Sequence, residues 1–284
     1  MNIEYVVPQK FEKVLKNDNY KRNTKYSVTE LNKSIRAVIL SKRYSDKVEF
    51  DVEDRLWSFF GSAFHTAMED AETKNDLAEI RLKYKELSGK FDHYDGETQT
   101  LYDFKFTSVW SMVFMDEQNA KEKQTQLSVY AWLLENAGFK VKSIKNIFIF
   151  RDWKKSEYNF GKYNVSKPYA TVEYEILKEI DGLPIQEWID KKIEEFEKYD
   201  NLEDEKLPEC SEEYRWAKPT KYAVMKNTNK TATRIFENKE EAEKFIEENT
   251  TAKNVFKIEE RAGNKFVRCE YCDIHEFCSQ YKHE

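Results

Sequence analysis

The chain has 284 residues, of which 40% are hydrophobic and 35% are charged, and its formal net charge is −6 at pH 7. Only 7 glycines and 5 prolines are present, which excludes collagen-like and low-complexity architectures, and an aromatic share of 15% excludes a disordered chain. Because no apolar run can span a bilayer and the N-terminal residues lack a signal-peptide pattern, we expect a cytoplasmic protein without a membrane partner.

The first part of the chain is predicted to hold an arm and two helices. Residues 1–26 are polar and mixed, which indicates an irregular N-terminal arm. Apolar residues recur at helical spacing from Leu31 to Ile39, after candidate capping residues. A second helix is predicted over about 52–76, and it carries a stripe of apolar side chains. The stripe consists of Leu56, Phe59, Phe60, Phe64 and Met68.

The middle of the chain is predicted to alternate between strands and helices. A strand over 87–92, a turn at 95–96 and a returning strand over 100–106 form a predicted hairpin. A helix over 118–137 is predicted to end at Gly138. The next predicted elements are strands over 141–151 and 169–176 and a helix over 184–199.

The pattern changes after Cys210, where a small α/β appendage is predicted. Cysteines bound this segment on both sides. Its predicted elements are strands over 222–226 and 231–236, a helix over 239–248 and a strand over 254–259. We therefore expect three regions: an N-terminal arm over 1–26, a core domain over 27–205 and a cysteine-bounded appendage over 206–284.

Two carboxylates and a lysine on the predicted hairpin are the first residues that indicate chemistry. Asp103 and Lys105 are two positions apart on one strand, so their side chains project from the same face, and Asp92 lies on the partner strand. Carboxylates hold hard cations such as Mg²⁺ or Mn²⁺, and a lysine beside them can orient the attacking water in phosphodiester hydrolysis. Taken alone, this Asp-x-Lys pattern is more often an ordinary charged strand edge.

Three further residues fall where they could complete such a site. His65 lies on a predicted helix and can offer a neutral imidazole to a metal, although a helical histidine beside Phe64 is more often a core residue. Gln126 and Tyr130 are four residues apart on one face of another predicted helix. Their amide and phenol groups can contact a phosphate or the lysine, although such a pair usually consists of ordinary surface residues.

The ordered set of these motifs resembles that of the PD-(D/E)XK nuclease superfamily and is most similar to its RecB-like exonuclease branch. The resemblance covers roughly residues 27–200 and rests on four motifs in the family order. They are Gly61-x-x-x-His65, Gly89-Lys90-Phe91-Asp92, Asp103-Phe104-Lys105 and Gln126-Leu-Ser-Val-Tyr130. The resemblance implies an α/β, restriction-endonuclease-like mixed sheet core flanked by helices.

The same resemblance implies a metal-dependent DNA exonuclease that uses Mg²⁺ or Mn²⁺. It implies that His65, Asp92, Asp103 and the carbonyl of Phe104 bind the metal and that Lys105 is the catalytic lysine. By the same resemblance, Gln126 and Tyr130 contact DNA or organise the site. Some relatives use a further upstream acid, for which Glu79 and Glu86 are both candidates.

Four cysteines form a second candidate site. Cys269, Cys272 and Cys278 have the spacing Cys-x2-Cys-x5-Cys, and Cys210 completes the set. In a cytoplasmic protein clustered cysteines favour metal binding over disulfides, and four thiolates can hold either zinc or an iron–sulfur cluster.

The family resemblance favours a four-iron–four-sulfur cluster, with zinc as the alternative. AddB-type nucleases and CRISPR-associated relatives hold such a cluster with three C-terminal cysteines and one far upstream. Here the fourth cysteine, Cys210, follows the nuclease motifs. We therefore expect the cluster to close the segment 211–268 rather than to tie the N-terminal helix to the C-terminus, and we expect its role to be structural.

A basic stretch over 217–236 contains no acidic residue and is a candidate contact for nucleic acid. A local positive surface can exist on a chain of net negative charge, and phosphates respond to the local field. A solvated surface is the alternative. The candidate residues are Lys218, Lys221, Lys226 and Lys230, with Gln126 and Tyr130 at the hydrolytic site.

The leading hypothesis is an exonuclease that acts on DNA ends or single strands in phage or bacterial recombination and repair. Recombination or replication proteins are its expected protein partners. Two alternatives stay open: a non-catalytic nucleic-acid-binding or assembly protein on the same fold, and a structure-specific or RNA-directed endonuclease. The presence of two carboxylates beside a lysine argues against the first alternative, and the motifs do not exclude the second.

Overall fold

The computed structural model describes residues 8–16, 24–48, 52–70, 73–226, 229–251 and 254–282, which form a mixed α/β protein with several sheets flanked by helices. The helices are α1 (Gln9–Lys16), α2 (Ile35–Arg43), α3 (Val52–Glu69), α4 (Trp110–Val113), α5 (Glu117–Asn136), α6 (Lys155–Asn159), α7 (Ile185–Asp200), α8 (Lys239–Asn249) and α9 (Ser279–Lys282). None of the helices in the described ranges combines the length and the hydropathy that a membrane crossing needs.

The strands are β1 (Tyr26–Ser27), β2 (Leu77–Ala78), β3 (Arg81–Tyr84), β4 (Leu87–Lys90), β5 (His93–Asp95), β6 (Thr100–Thr107), β7 (Ser143–Phe150), β8 (Tyr169–Tyr174), β9 (Glu179–Ile180), β10 (Leu183–Pro184), β11 (Lys221–Lys226), β12 (Ala232–Phe236) and β13 (Phe256–Arg261). The chain forms two compact units. The first comprises Met1–Asn32 and Glu49–Lys198, and the second comprises Lys33–Val48 and Tyr199–Glu284.

A five-stranded mixed sheet forms the centre of the first unit, in the order β2-β5-β6-β7-β8. Strands β6 and β7 are parallel and the other pairs are antiparallel. The parallel pair requires a crossover connection, which α5 provides, and the buried face of α5 includes Leu127 and Leu134. Alternate residues of β7 from Ile144 to Phe150 are buried, as expected for a strand with one face on the core.

The predicted hairpin is correct at its turn but wrong in its first strand. The predicted strand over 87–92 ends at Lys90 as β4, which pairs with β1 and β3 in a separate three-stranded sheet, and the hairpin with β6 is formed by the next strand, β5. Phe91, between β4 and β5, is fully buried. Residues 91–92 thus connect two sheets, and Asp92 lies where the chain passes from one to the other.

The prediction of an irregular arm is wrong over α1. Its apolar residues Phe11, Val14 and Leu15 follow helical spacing. Leu15 is buried and the ring of Phe11 lies edge-on to Phe59 of α3, with 6.3 Å between centroids. The other parts of the predicted arm, 1–7 and 17–23, lie outside the described residues.

The second unit combines α2 with the C-terminal part of the chain. Its core contains Ile39 and Leu40 of α2 together with Leu207, Ile274 and Cys278. The predicted α/β appendage is confirmed, because β12, β11 and β13 form an antiparallel sheet in that order and α8 packs against it.

Candidate active site

Five chemistry-bearing side chains of the first unit come from four segments of the chain. They are His65 on α3, Glu79 after β2, Asp92 between β4 and β5, and Asp103 and Lys105 on β6. Pairing of β5 with β6 sets Asp92 beside β6, and its Oδ2 accepts a hydrogen bond of 2.7 Å from the backbone N–H of Phe104. This bond fixes the carboxylate against the strand that carries Asp103 and Lys105.

His65, Glu79 and Asp92 form a three-residue cluster of metal-ligand type. The Nδ1 of His65 lies 2.9 Å from Oε1 of Glu79 and 3.7 Å from Oδ1 of Asp92. One ligand atom from each residue lies within 4.8 Å of the other two. An imidazole and two carboxylates at this separation suit a divalent cation of the Mn²⁺ or Mg²⁺ type.

Asp103 lies just behind this cluster and is not one of its three members. Its Oδ2 accepts hydrogen bonds from Lys105 and Asn146, both at 2.6 Å, and the residue is 5% exposed. Asn146 stands directly opposite Asp103 in the parallel pairing of β6 with β7. The structure thus brings Asp103 and Lys105 together as predicted, with Asn146 as a partner that the sequence patterns did not reveal.

The side chains of the cluster shift one another's pKa values. Burial, and then the nearby Asp103 carboxylate, raises the pKa of Asp92 to about 7. A hydrogen bond to Glu79 raises the pKa of His65. Burial opposes ionisation of Glu79, but hydrogen bonds from His65 and Lys90 hold its pKa below the usual value. Burial also opposes the charge of Lys105, yet the Asp103 carboxylate holds its pKa above the usual value.

Crowded carboxylates of this kind disfavour full ionisation in the absence of a cation. A divalent ion would relieve the repulsion between Asp92 and Asp103 and release the proton that Asp92 holds near neutral pH. The electrostatics therefore favour cation binding at the cluster.

Of the two acids that the sequence did not separate, Glu79 and Glu86, Glu79 lies in the cluster. Its backbone has φ of 54°, and its N–H donates to the carbonyl of Asp92 at 3.0 Å. Its Oε2 contacts the Lys90 ammonium. Glu86 instead lies in the β3–β4 turn, where its carbonyl accepts the N–H of Tyr26. A left-handed glutamate costs about 1 kcal/mol or more, and such strain is typical of functional sites.

Tyr130 and Gln126 lie behind the site on α5. Tyr130 is 5% exposed, and the side chains of Gln126 and Thr29 hydrogen-bond to its hydroxyl. Burial, followed by the charge of Asp103, raises the pKa of Tyr130. Its ring packs so closely on Gly89 that a Cβ there would lie 2.4 Å from Cε1. The tyrosine is therefore placed to organise the site rather than to meet DNA at a surface.

Lys123 is a functional candidate that the motifs did not include. It lies one helical turn before Gln126 on α5, and burial followed by the charge of Lys105 lowers its pKa. Its ammonium donates to the carbonyl of Asn119 at 3.3 Å. The i, i+3 spacing from Gln126 was the available sequence signal.

The four cysteines of the second unit line one cavity of about 160 Å³. All are free thiols, and Cys210 and Cys278 are buried. Burial, then the charges of the other three sulfurs, raises the pKa of Cys269 to about 11. Among these fully described cysteines, no three sulfurs lie within 4.8 Å of one another. A single tetrahedral zinc needs sulfurs about 3.8 Å apart for bonds of about 2.3 Å.

The cysteine cavity also involves α2, contrary to the expectation that the N-terminal helix would not be tied in. Arg36 of α2 is buried and donates to the carbonyl of Leu207 at 2.8 Å and to Ser279 Oγ at 3.1 Å. Arg215 donates to the carbonyl of Cys210 at 3.0 Å. Because Arg36 also lines the cavity, α2 is bound to both flanks of the cysteine set.

The predicted basic stretch does not form one continuous surface. Lys221 and Lys226 are five residues apart on β11, so they project from opposite faces of the sheet. Lys221 pairs with Glu237 at 2.9 Å. The backbone N–H of Lys218 donates to Asn264, and Lys230 lies at the exposed start of the β12 segment.

Comparison with known proteins gives several distant structural likenesses. No protein-family model matches the chain, and no curated protein matches it. The solved structure of SSO0001 is 16% identical with a TM-score of 0.42, and the match covers 65% of this chain and 83% of that one. A phage-related exonuclease from Haemophilus somnus 129PT is 11% identical with a TM-score of 0.41, over 63% of this chain and 93% of that one. Neither likeness assigns an activity to this chain.

Proposed function

We propose that the first unit is a metal-dependent nuclease that hydrolyses phosphodiester bonds in DNA. The observation that carries this proposal is the cluster of His65, Glu79 and Asp92 beside the Asp103–Lys105 pair. A catalytically inactive binding protein would have no physical need for three crowded acids around one histidine and one lysine. The arrangement costs stability unless a cation is bound.

Each side chain has a distinct part in this proposal. His65, Glu79 and Asp92 hold the cation, with Asp103 close behind them. A divalent cation bound there would acidify a water molecule and stabilise charge on the phosphate. Lys105 orients that water, and Asp103 and Asn146 hold the lysine and the carboxylate in place. Lys123 adds positive charge near the phosphate that is cleaved.

The choice of DNA and of exonucleolytic action comes from the resemblance to the RecB-like branch, whose four motifs are all present. Phosphodiester chemistry alone does not select the sugar or the position of the cut. We propose linear DNA ends as substrate, within phage or bacterial recombination and repair.

For the second unit we propose a four-iron–four-sulfur cluster held by Cys210, Cys269, Cys272 and Cys278. The wide sulfur spacing and the cavity between them support a cluster over the zinc alternative. Protein purified without oxygen is expected to contain iron and sulfide and to lose both, together with thermal stability, in Cys272→Ala. Stoichiometric zinc without iron would contradict the cluster.

The test of the nuclease uses end-labelled linear DNA, closed circular DNA and RNA of the same sequence, with Mg²⁺ or Mn²⁺. We expect loss of the linear DNA alone, abolished in Asp103→Ala and Lys105→Met. Asp152→Asn is the matched control, because Asp152 bonds to Ser108 and Val109 away from the cluster. Folded, metal-loaded protein that cuts nothing would refute the proposal, and cleavage of circles or RNA would assign a different substrate.

A further inference from the structure

Helix α3 has aromatic side chains that the described residues of the first unit cover only in part. None of the side chains described on this helix, 55–69, is buried, although Phe59, Phe60 and Phe64 are among them. Trp57 is 46% exposed and Phe60 is 43% exposed. The predicted apolar stripe of α3 is therefore half-buried, with Phe60 as its exposed member among the described side chains. Exposed aromatic side chains grouped in this way commonly mark a binding site.

Aromatic contacts join the rings of α3 to β6, the strand that carries Asp103 and Lys105. Trp57 and Phe60 lie 6.1 Å apart between centroids, and Phe60 lies 6.3 Å from Phe106. Phe106 follows Lys105 directly on β6. Further along the same helix, Phe64 packs on Phe104 at 5.4 Å. Trp57 and Phe60 thus lie on the same helix as His65, and the helix contacts β6 both at Phe60 and at Phe64.

A positively charged side chain also belongs to this surface. The guanidinium of Arg151 lies 4.6 Å from the centre of the Trp57 ring. Arg151 follows β7, and its backbone N–H donates to Thr107 at the end of β6. Helix α1, which packs on α3, adds the exposed Lys10 and Lys13. The surface thus joins flat aromatic rings to positive charge, which is the combination that binds single-stranded nucleic acid.

We propose that Trp57, Phe60 and Arg151 form a stacking platform for the unpaired bases of a DNA strand that enters the active site. This inference rests on the proposed nuclease function. Eight residues separate Trp57 from His65, which is about 12 Å along the helix. That length corresponds to about three or four nucleotides at a stacked rise of about 3.4 Å. The platform therefore holds bases a few positions away from the phosphate that is cut.

A protein partner or a second copy of the chain would also cover exposed aromatic rings. The single strand is favoured because positive charge from Arg151, Lys10 and Lys13 lies beside the rings and suits a phosphate backbone. The same helix also carries His65 of the metal-ligand cluster, so a strand bound at Trp57 would lie close to the proposed site of cleavage.

Binding of fluorescent oligonucleotides tests the platform, with a chelator present so that no strand is cut. The probes are a single strand, a blunt duplex and a strand of the same length that carries abasic sites. We expect Trp57→Ala to weaken single-strand binding by about 5-fold to 150-fold, the range measured for loss of one base–aromatic stack. Trp57→Phe keeps most of the affinity, and wild type prefers the normal strand to the abasic one.

Phe160→Ala is the matched control, since Phe160 is 89% exposed and lies elsewhere in the first unit. The platform is refuted if Trp57→Ala binds the single strand as wild type does, or if the abasic strand binds equally well. It is also refuted if wild type is a dimer that Trp57→Ala dissociates.

Hydrolysis of bis(p-nitrophenyl) phosphate with Mn²⁺ separates this inference from the proposed function. This small diester has no nucleobase, so Trp57→Ala should hydrolyse it at the wild-type rate. A wild type that hydrolyses neither this diester nor linear DNA refutes the nuclease, whereas an active wild type with unchanged strand binding in Trp57→Ala refutes only the platform.

Discussion

Replacement of Asp92 by asparagine should make the metal-free protein more stable while removing its activity. The Asp92 carboxylate is buried, and burial together with the Asp103 carboxylate raises its pKa from 3.8 to about 7. Ionisation of Asp92 therefore opposes folding. Asparagine has nearly the same shape, can still accept the N–H of Phe104, and brings no charge.

The magnitude follows from the size of the pKa shift. A difference of about three units, at about 1.4 kcal/mol each, corresponds to about 4 kcal/mol of lost stability once Asp92 is ionised. Asp92→Asn should regain up to this amount, equivalent to roughly 10 °C in Tm for a unit of this size. Relaxation of neighbouring charges would reduce the gain.

The pH dependence has a definite sign. A carboxyl group whose pKa is raised by folding stabilises the protein fully below the unfolded value of 3.8, and this contribution is lost as pH rises through about 7. The advantage of Asp92→Asn should therefore be close to zero at pH 4, below about 2 kcal/mol at pH 5, and largest above pH 7.

The assay is thermal and urea unfolding of wild type and Asp92→Asn across this pH range, with a chelator and then with Mn²⁺. Mn²⁺ should stabilise wild type but not the variant, because the variant lacks a ligand. Asp152→Asn is a control in which the change in stability should have the opposite sign. Although burial opposes its ionisation, hydrogen bonds from Ser108 and Val109 lower the pKa of Asp152, so this change should destabilise. An Asp92→Asn protein no more stable than wild type at pH 8 would refute the reasoning.

Three other predictions concern packing, charge and the second unit. Gly89→Ala should lower the free energy of unfolding by about 1–3 kcal/mol, because the added Cβ would lie 2.4 Å from a ring carbon on α5. Gly61→Ala adds a Cβ that has nothing within 4 Å, so it should not destabilise the protein in the same urea titration. Lys123→Met should lower kcat/KM on DNA about tenfold, since it removes positive charge near Lys105, and unchanged kinetics would contradict this role. Arg36→Met should cost about 3 kcal/mol and reduce bound iron, as measured by unfolding and metal analysis; full iron content would argue against its place at the cluster.

The sequence patterns predicted most of the regular elements, because those elements depend on local spacing. The predicted helix over 118–137 is α5 within one residue at each end, and the predicted strand over 141–151 contains β7. That the strand predicted over 87–92 ends at Lys90 and belongs to a separate sheet was not predictable in this way. It depends on the pairing of β4 with β1 and β3, and β1 is about 60 residues away along the chain.

The candidate site could be predicted only in part, for the same reason. Asp103 and Lys105 share a strand, so alternation alone places them together. Glu79 lies at the site because its own backbone is left-handed, and Asn146 lies there because the parallel register of β6 and β7 sets it opposite Asp103. Neither leaves a local pattern in the sequence. The exposure of Phe60 could not be predicted either, because helical spacing shows that a stripe is apolar but not what covers it.

The second unit is built from two segments that are far apart in the chain, and this affects the order in which the protein folds. Helix α2 is synthesised early, yet its partners begin only at Tyr199. At synthesis rates of about 5–20 residues per second, roughly 10 to 30 s pass before Cys210 follows Arg43. During this interval the buried face of α2 lacks the residues that form its core. Cys278, a member of that core, is synthesised 80 residues after Lys198, the last residue of the first unit, so the second unit is the last part of the chain that can fold.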